Sequence, residues 1–381
     1  MDIIVKYIDE LLEKSTPEAP MWNIEKIRQG LKSNWNYIDG VMIKAVLQMY
    51  DVTKDEKYLK FADNFIDYRV HEDGTIDGYS IGEKNIDNVN AGKTLFELYD
   101  LTGKEKYRKA IDLVYSQIEI MPRCNNEARS FWHKDIYPNQ VWLDGLYMGL
   151  PFYLEYETRY NDRKNYSDIF GQFKFVIENM RNPINGLYFH AMDTSREAFW
   201  CDKVTGLSQH SWLRAIGWYT MALIDTLDQV DNKDHKYDAE CKMLEDAFKD
   251  LVDSMLKYQD ESGMWYQVVN YGGMDKNYLE TSGSSIMAYA LLKAVRLGYL
   301  SDDYAQYAKK AIDGICERYL KTKEDGSLSL GGICLVAGLG GNGRRPGTYD
   351  YYMSEPIVED DAKGVGPFLL AYTELLRYEN K

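Results

Sequence analysis

Aromatic and ionisable side chains concentrate between Ser130 and Met148, in the stretch SFWHKDIYPNQVWLDGLYM. Asp144 precedes Gly145, and Pro151 follows at a spacing suited to the first turn of a helix, so we expect the Asp144 carboxyl group at a helix start. A carboxyl group held among aromatic rings is a candidate for proton transfer. The alternative is an aspartate that only caps the helix.

A second such segment covers residues 186–219 and contains His190, Trp212, Arg214 and Trp218. The last three alternate aromatic rings with a cation, a combination suited to a planar sugar face that carries a carboxylate. The alternative is that the tryptophans belong to the core and that Arg214 pairs with one of the many acidic residues.

Two further polar segments, 35–39 (WNYID) and 86–92 (IDNVNAG), each precede a predicted helix, and both could be simple caps. If Asp87 faced Asp144 across a cavity, the pair would supply the proton donor and the second carboxylate that acid–base catalysis needs. The separation of these residues in the sequence does not establish that they meet.

Motifs for several other chemistries are missing from the sequence. The five histidines show neither the H-E-x-x-H pattern nor a spacing of four residues, and EF-hand and P-loop patterns are lacking, so we expect no metal and no nucleotide cofactor. There is also no G-x-S-x-G motif. The glycine-rich segment 337–352 is expected to be a long loop bordering a site. The five cysteines form no C-x-x-C pair and are expected to be free thiols.

These residues must be positioned by helices, because the chain contains a weak repeat of helical hairpins. Tyr50-Asp51, a polar turn and Tyr58 recur 49 residues later as Tyr99-Asp100, a turn and Tyr107. Looser copies lie at 157–180, 228–258 and 297–320. With helices at about 2–13 and 364–378 as a sixth pair, we predict an all-α fold, an (α/α)6 barrel of six helical hairpins forming a single domain over residues 1–381.

Composition limits the possible partners. The 381 residues carry a formal charge of −15 without a Lys/Arg-rich block, which disfavours nucleic-acid binding. Acidic residues interrupt the apolar positions of residues 1–20, so neither a signal peptide nor a membrane span is predicted there. We expect a cytoplasmic protein without a membrane partner, either a monomer or a weak homo-oligomer.

Taken together, these segments resemble the unsaturated rhamnogalacturonyl hydrolases of glycoside hydrolase family 105 over nearly the whole chain. The motifs that carry the resemblance are WNY (35–37), IDNVNAGKTLFELY (86–99), FWHKDIYPNQVWLDGLYMGLPF (131–152), WLRAIGWY (212–219), NYLETSGSS (277–285), AGLGG (337–341) and YYMSEPIVEDDAKGVGPF (351–368). The stretch Gln209-His210-Ser211 is the departure from the pattern that we expect to affect the neighbouring sugar subsite.

The resemblance implies an enzyme that removes a 4,5-unsaturated uronic acid from lyase-generated oligosaccharides, with no cofactor. It implies Asp144 as general acid/base and Asp87 as the assisting carboxylate. The residues that it implies around the sugar are Tyr37, His133, Trp142, His190, Trp212, Arg214 and Trp218. Because the substrate is anionic and the protein acidic, we expect Arg214 to hold the uronate carboxylate and Lys363, Arg344 and Arg345 to contribute at the rim.

Three other interpretations stay open from the sequence. Within the same enzyme class, the chain could be an unsaturated glucuronyl hydrolase acting on glycosaminoglycan or ulvan fragments. Outside it, the chain could be a carbohydrate-binding α/α scaffold without activity, or a helical repeat protein that binds protein partners in an apolar groove.

Overall fold

The computed structural model describes residues 3–380, most of which lie in α-helices. The helices are α1 (Ile3–Glu13), α2 (Ile24–Gln29), α3 (Tyr37–Thr53), α4 (Glu56–Asp67), α5 (Lys93–Thr102), α6 (Glu105–Ile120), α7 (Leu143–Tyr160), α8 (Tyr166–Asn179), α9 (Leu213–Gln229), α10 (Asp238–Leu256), α11 (Thr281–Leu297), α12 (Ala305–Tyr319), α13 (Tyr349–Ser354) and α14 (Ala362–Glu379). Short 3₁₀ segments cover Ile81–Glu83, Ile86–Gly92, Val269–Tyr271 and Asp302–Tyr304.

Short antiparallel strand pairs lie in the connections between hairpins. They are β1 (Gln140–Trp142) with β2 (Ala191–Asp193), β3 (Leu320–Thr322) with β4 (Leu328–Leu330), and β5 (Ile333–Cys334) with β6 (Ile357–Val358). In the first pair Trp142 lies opposite Ala191. This pairing fixes the connection before α7 against the connection before α9.

Six helices form a closed inner ring. The ring consists, in order, of α3, α5 with its preceding 3₁₀ segment, α7, α9, α11 and α14. Each member packs on the next, and α14 packs against α3. Helices α4, α6, α8, α10 and α12 lie outside as hairpin partners, and Tyr7 of α1 donates a hydrogen bond to Asp360, just before α14, at 2.8 Å. The predicted (α/α)6 barrel is confirmed.

The burial pattern explains which helices lie inside. In α4 the buried residues Tyr58, Ala62, Phe65 and Ile66 follow the spacing of one helix face, so this helix covers the ring on one side only. In α11 every residue from Thr281 to Val295 is buried, because the helix has neighbours on all sides.

Small residues allow the inner helices to approach closely. A Cβ atom on Gly366 of α14 would lie 2.8 Å from Val41 Cγ1 of α3, and one on Gly40 would lie 2.6 Å from the Ala91 backbone. These contacts are shorter than ordinary side-chain packing permits. Glycine is therefore required at the seam where the ring closes.

The inner helices start at the same end of the barrel, because each of α3, α5, α7, α9 and α11 is followed by an outer helix that returns the chain to this end. Asp144 is the second residue of α7, as predicted, but Pro151 lies in the middle of this helix and not in its first turn. Proline has no N–H for the carbonyl of Tyr147, four residues earlier. Lys93 Nζ donates to this carbonyl instead, at 3.2 Å.

Candidate active site

A cavity of about 250 Å³ lies at the end of the barrel where the inner helices begin. It brings together most of the residues that the sequence singles out, from the connections before five of the inner helices. Its wall is formed by Glu25, Tyr37, Asp87, His133, Lys134, Tyr137, Trp142, Asp144, Met148, Trp212, Arg214, Trp218, Val336, Ala337 and Arg345.

The carboxyl group of Asp144 has no lysine or arginine partner among residues 3–380. The N-cap of α7 is Trp142, whose side chain makes no capping bond, and among residues 3–380 no donor is hydrogen-bonded to the buried Oδ2 atom of Asp144. No lysine or arginine in this part of the chain forms an ion pair with it either. The interpretation of Asp144 as a capping residue is therefore wrong, and its carboxyl group faces the cavity.

His190 lies directly behind Asp144. The residue is fully buried and precedes β2, and its Nε2 atom lies 3.4 Å from Asp144 Oδ2. The other ring nitrogen, Nδ1, lies 2.7 Å from the hydroxyl oxygen of Tyr352, which fixes the orientation of the ring. His190 does not line the cavity itself, so in this structure it acts on the site through Asp144.

Asp87 differs from Asp144 in its electrostatic surroundings. Burial raises the pKa of Asp87, but the positive charge and hydrogen bond of Lys134, with Nζ 2.7 Å from Oδ2, and the nearby His133 bring that pKa below its ordinary value. His133 Nε2 lies 3.4 Å from Oδ1. Burial lowers the pKa of His133 to about 4, so this ring is neutral at neutral pH. The cavity thus contains an ionised, paired carboxylate and an unpaired carboxyl group.

Aromatic rings form flat walls around these two carboxyl groups. His133 and Trp142 are parallel, with ring centroids 4.5 Å apart and an interplanar angle of 1°, and Tyr137 stacks on Trp142 at 5.0 Å. Trp218 stacks on Tyr147 at 5.0 Å and 11°. Flat apolar faces next to polar groups are the surfaces on which sugar rings pack.

Arg214 supplies a buried cation that feels the charges of Glu280 and Asp361 but forms no direct ion pair with a carboxylate of residues 3–380. Its Nη1 atom donates to Ser282 Oγ at 3.2 Å and to the Cys334 carbonyl at 2.6 Å, and the guanidinium lies 4.8 Å from the Trp212 ring centre. Within residues 3–380, Arg214 forms no ion pair, and its Nε and Nη2 atoms make no hydrogen bond. The interpretation as a structural ion pair is therefore wrong. One edge of the guanidinium, with two parallel N–H groups, is left for a ligand carboxylate.

The remaining predicted cations are placed differently. Lys363 does not line the cavity: its buried Nζ pairs with Glu25 at 2.6 Å and with Asp361 at 3.1 Å. Arg345 does line it and donates to the Tyr137 hydroxyl at 2.8 Å. Arg344 instead lies over the Phe199 ring. The glycine-rich segment 337–352 borders the cavity, as predicted.

Several wall residues were not selected from the sequence. Glu25 lies on the short helix α2, which is capped by Asn23 and by Gly30 in the left-handed conformation (φ 66°). The spacing from Asn23 to Gly30 is typical of a short capped helix, and it is the sequence pattern from which α2 could have been predicted. Lys134 and Tyr137 lie inside the aromatic segment at 130–148, and only the fold shows that their side chains reach the cavity.

A second polar groove, of about 270 Å³, adjoins the cavity and shares Glu25, Tyr37, Asp87 and Lys134 with it. Amide and charged side chains from the segment before α3 dominate the remainder of its wall, which includes Asn23, Lys26, Gln29, Asn34, Asn36, Glu83, Asn85 and Asn88. The two spaces together exceed what a single sugar ring requires.

The described part of the chain contains neither a metal-binding cluster nor a helix suited to cross a membrane. Among residues 3–380 there is no cluster of three or more His, Cys, Asp or Glu side chains that could hold a metal ion. In the same range, no helix has the length and apolar character needed to cross a membrane.

Comparison with known proteins identifies the family. The sequence model of Glycosyl Hydrolase Family 88 matches residues 8–379, so the chain belongs to this family. The chain is 42% identical to a family 105 glycoside hydrolase of C. acetobutylicum ATCC 824, whose solved structure matches with a TM-score of 0.89 over 100% of this chain and 99% of that one. The protein is thus a hydrolase of the family 88 and 105 group of unsaturated uronyl hydrolases.

Two further relatives are named for different substrates. The unsaturated rhamnogalacturonyl hydrolase YesR of Bacillus subtilis is 25% identical, over 77% of this chain and 78% of its own length. The unsaturated glucuronyl hydrolase of Bacillus sp. GL1, which acts in glycosaminoglycan degradation, matches with a TM-score of 0.63 at 16% identity, over 92% of this chain and 88% of that one. The second likeness shows the shared fold. The family resemblance predicted from the sequence is confirmed.

Proposed function

We propose that this protein removes the 4,5-unsaturated uronic acid from the non-reducing end of lyase-generated rhamnogalacturonan oligosaccharides by hydrating the C4=C5 bond. The observation that carries the proposal is the pair of carboxyl groups in one cavity, with Asp87 ion-paired to Lys134 and Asp144 without a cation. The relative YesR, an unsaturated rhamnogalacturonyl hydrolase, supports this choice of substrate over a glycosaminoglycan fragment.

In this proposal Arg214 binds the uronate carboxylate. Arg214 lines the cavity, and the Ser282 and Cys334 contacts hold its Nη1 atom in place. Trp142, Trp212 and the neighbouring rings accept the flat face of the unsaturated sugar. A sugar held this way presents its double bond to the carboxyl groups between these walls.

Asp144 is the general acid and then the base. Its proton adds to C4, which leaves an oxocarbenium ion shared between C5 and the ring oxygen; a water molecule attacks C5, and its proton returns to Asp144. The resulting hemiketal opens to a C5 ketone, and C1 then releases the remaining sugar as an alcohol. The ionised Asp87 carboxylate stabilises the positive charge that develops on the ring.

The adjoining groove gives the rest of the oligosaccharide a polar surface. Its amide and charged side chains can hydrogen-bond to sugar hydroxyl groups, and it meets the cavity at Tyr37 and Asp87. A leaving sugar that extends from the cavity would enter this groove. This arrangement supports an oligosaccharide over a free monosaccharide as substrate.

The test is a spectroscopic assay with a matched pair of variants. The purified protein, with EDTA present, is incubated with unsaturated rhamnogalacturonan disaccharide, and loss of the ultraviolet absorbance of the double bond together with release of rhamnose is expected. Asp144→Asn should lower kcat by about 10²-fold or more, whereas Asp135→Asn, an exposed aspartate in the same segment, should not. An Asp144→Asn enzyme with more than a tenth of wild-type kcat would refute the assignment.

The same assay separates the alternatives. Activity on unsaturated chondroitin or ulvan fragments, but not on the rhamnogalacturonan disaccharide, would identify a glucuronyl hydrolase with the same mechanism. Binding of all these sugars without turnover would identify a carbohydrate-binding scaffold.

A further inference from the structure

Another cavity, distinct from the active-site cavity and its adjoining groove, has a volume of about 270 Å³. It lies at the opposite end of the barrel, where the inner helices end, and is called the distal cavity below. Its wall carries charged side chains from α3, α5, α7, α9, α11 and α14. Tyr147 lines this distal cavity, Trp218 lines the active-site cavity, and the two rings stack at 5.0 Å. The two cavities are therefore separated by one pair of aromatic rings.

The carboxylates of the distal cavity all have cationic partners. Lys293 Nζ lies 2.9 Å from both Asp225 and Asp228. Glu374 pairs with Arg296 at 2.7 Å and with Arg377 at 2.8 Å. The other two carboxylates of the wall also pair with arginines, at 2.7 and 2.8 Å.

Lys93 is the exception among the cations of this wall. It is 6% exposed, and within residues 3–380 it forms no ion pair. Its Nζ atom lies 3.4 Å from the centre of the Tyr147 ring and donates to the Tyr147 carbonyl, which Pro151 leaves without a helix donor. This structural contact uses one of the three N–H donors of an ammonium group and leaves its charge unbalanced.

The electrostatics of Lys93 reflect this missing counterion. Burial lowers the pKa of Lys93 to about 7; the carboxylates of Asp225 and Glu155 oppose this change, and the positive charges of Lys44 and Lys293 add to it. A bound anion would offset both the burial and the repulsion between the lysines.

We propose that the distal cavity is a binding site for a small anion, a carboxylate or an inorganic oxoanion, with Lys93 as its counterion. The cavity has room for such a group, and Asp51, whose side chain is 51% exposed, lies at the mouth through which it would enter. The two free donors of Lys93 then bind the anion, while the ion pairs around it stay intact. This site is independent of the hydrolase reaction.

Lysine labelling of the wild-type protein tests the site directly. A limiting amount of cyanate at pH 7.5 is expected to label Lys93 faster than exposed lysines, whose pKa values lie near 10.4, and peptide mass spectrometry gives the rate at each residue. Phosphate or acetate should slow labelling of Lys93 by about threefold to 25-fold, since a rise of one to two pKa units from about 7 reduces the neutral amine at pH 7.5 by this factor. An unchanged rate, or equal slowing by chloride at the same ionic strength, would overturn the proposal.

Calorimetry on two variants gives a second, independent test, which also decides if cyanate does not reach Lys93. Phosphate is expected to bind the wild-type protein and Lys32→Met, a control at a lysine side chain that is 75% exposed, but not Lys93→Met. Equal phosphate binding by Lys93→Met and the wild type, or no binding by the wild type, would overturn the proposal. Absence of hydrolase activity in the wild-type protein would contradict the proposed function but not the anion site.

Discussion

Replacing Arg214 by leucine removes the cation proposed to hold the uronate carboxylate. The structure leaves the Nε and Nη2 edge of this guanidinium free, so a carboxylate can accept two parallel, charge-assisted hydrogen bonds there. A bond of this kind contributes about 1.5 to 3 kcal/mol. Arg214→Leu should therefore lower kcat/KM by about one to two orders of magnitude.

Arg214 is also buried, so its loss could act through packing alone. A comparison of two substrates separates these effects: the unsaturated disaccharide as the free acid and as its methyl ester, which carries no charge. The wild type should prefer the acid by the factor given above, and Arg214→Leu should show little preference. The assay is the decrease in ultraviolet absorbance under kcat/KM conditions.

The result that would refute this reasoning is an equal loss of kcat/KM on the acid and on the ester. That outcome would mean that Arg214 supports the site only by its contacts with Ser282 and Cys334. Arg344→Leu is the matched control, because Arg344 lies over the Phe199 ring and not on the cavity wall. Its kcat/KM should equal that of the wild type, and thermal unfolding of both variants checks that they are folded.

Two further predictions concern the ionised part of the site. The variant Lys134→Met removes the cation that lowers the pKa of Asp87, so burial should then raise this pKa. The acidic limb of the kcat/KM profile should therefore move to higher pH. A pH–rate profile with an unchanged acidic limb would contradict the role given to Asp87. Burial lowers the pKa of His133 to about 4 in the folded protein, whereas the pKa of an unfolded histidine is about 6.5. As the pH falls from 6.5 to 4, the unfolded state therefore binds a proton on His133 that the folded state does not. The free energy of unfolding should thus decrease by about 3 kcal/mol between pH 6.5 and 4, and urea titrations of His133→Gln should show a smaller decrease.

The fold could be predicted from the sequence because a helical hairpin leaves a strong local pattern. The Tyr-Asp turns at 50 and 99 and their looser copies mark the ends of α3, α5, α7, α9 and α11, and all five hairpins are confirmed. Ring closure depends on contacts such as Gly366 against Val41, which are far apart in the sequence. From the sequence, only the number of hairpins indicated that the helices form a closed ring.

The site was predicted less completely, since a motif shows which residues are present and not which are paired. The sequence suggested Asp87 as a second carboxylate facing Asp144 but did not show its partner Lys134, whose Nζ atom lies 2.7 Å from Asp87 Oδ2. It also suggested Lys363 for the rim, where the structure places Glu25, the partner of that lysine. The single domain, the cytoplasmic location, the oligomeric state and the roles of individual site residues stay predictions.

The stacked rings of Tyr147 and Trp218 also decide how a polymer can meet this enzyme. They lie between the two cavities and form a floor, so in the proposed reaction a sugar chain entering the active-site cavity meets these rings at its bottom. Only a chain terminus can reach the bottom of the active-site cavity, and the released monosaccharide must leave through the opening by which it came. In the proposed reaction, this pair of rings therefore favours removal of terminal units, and product release competes with binding of the next chain end.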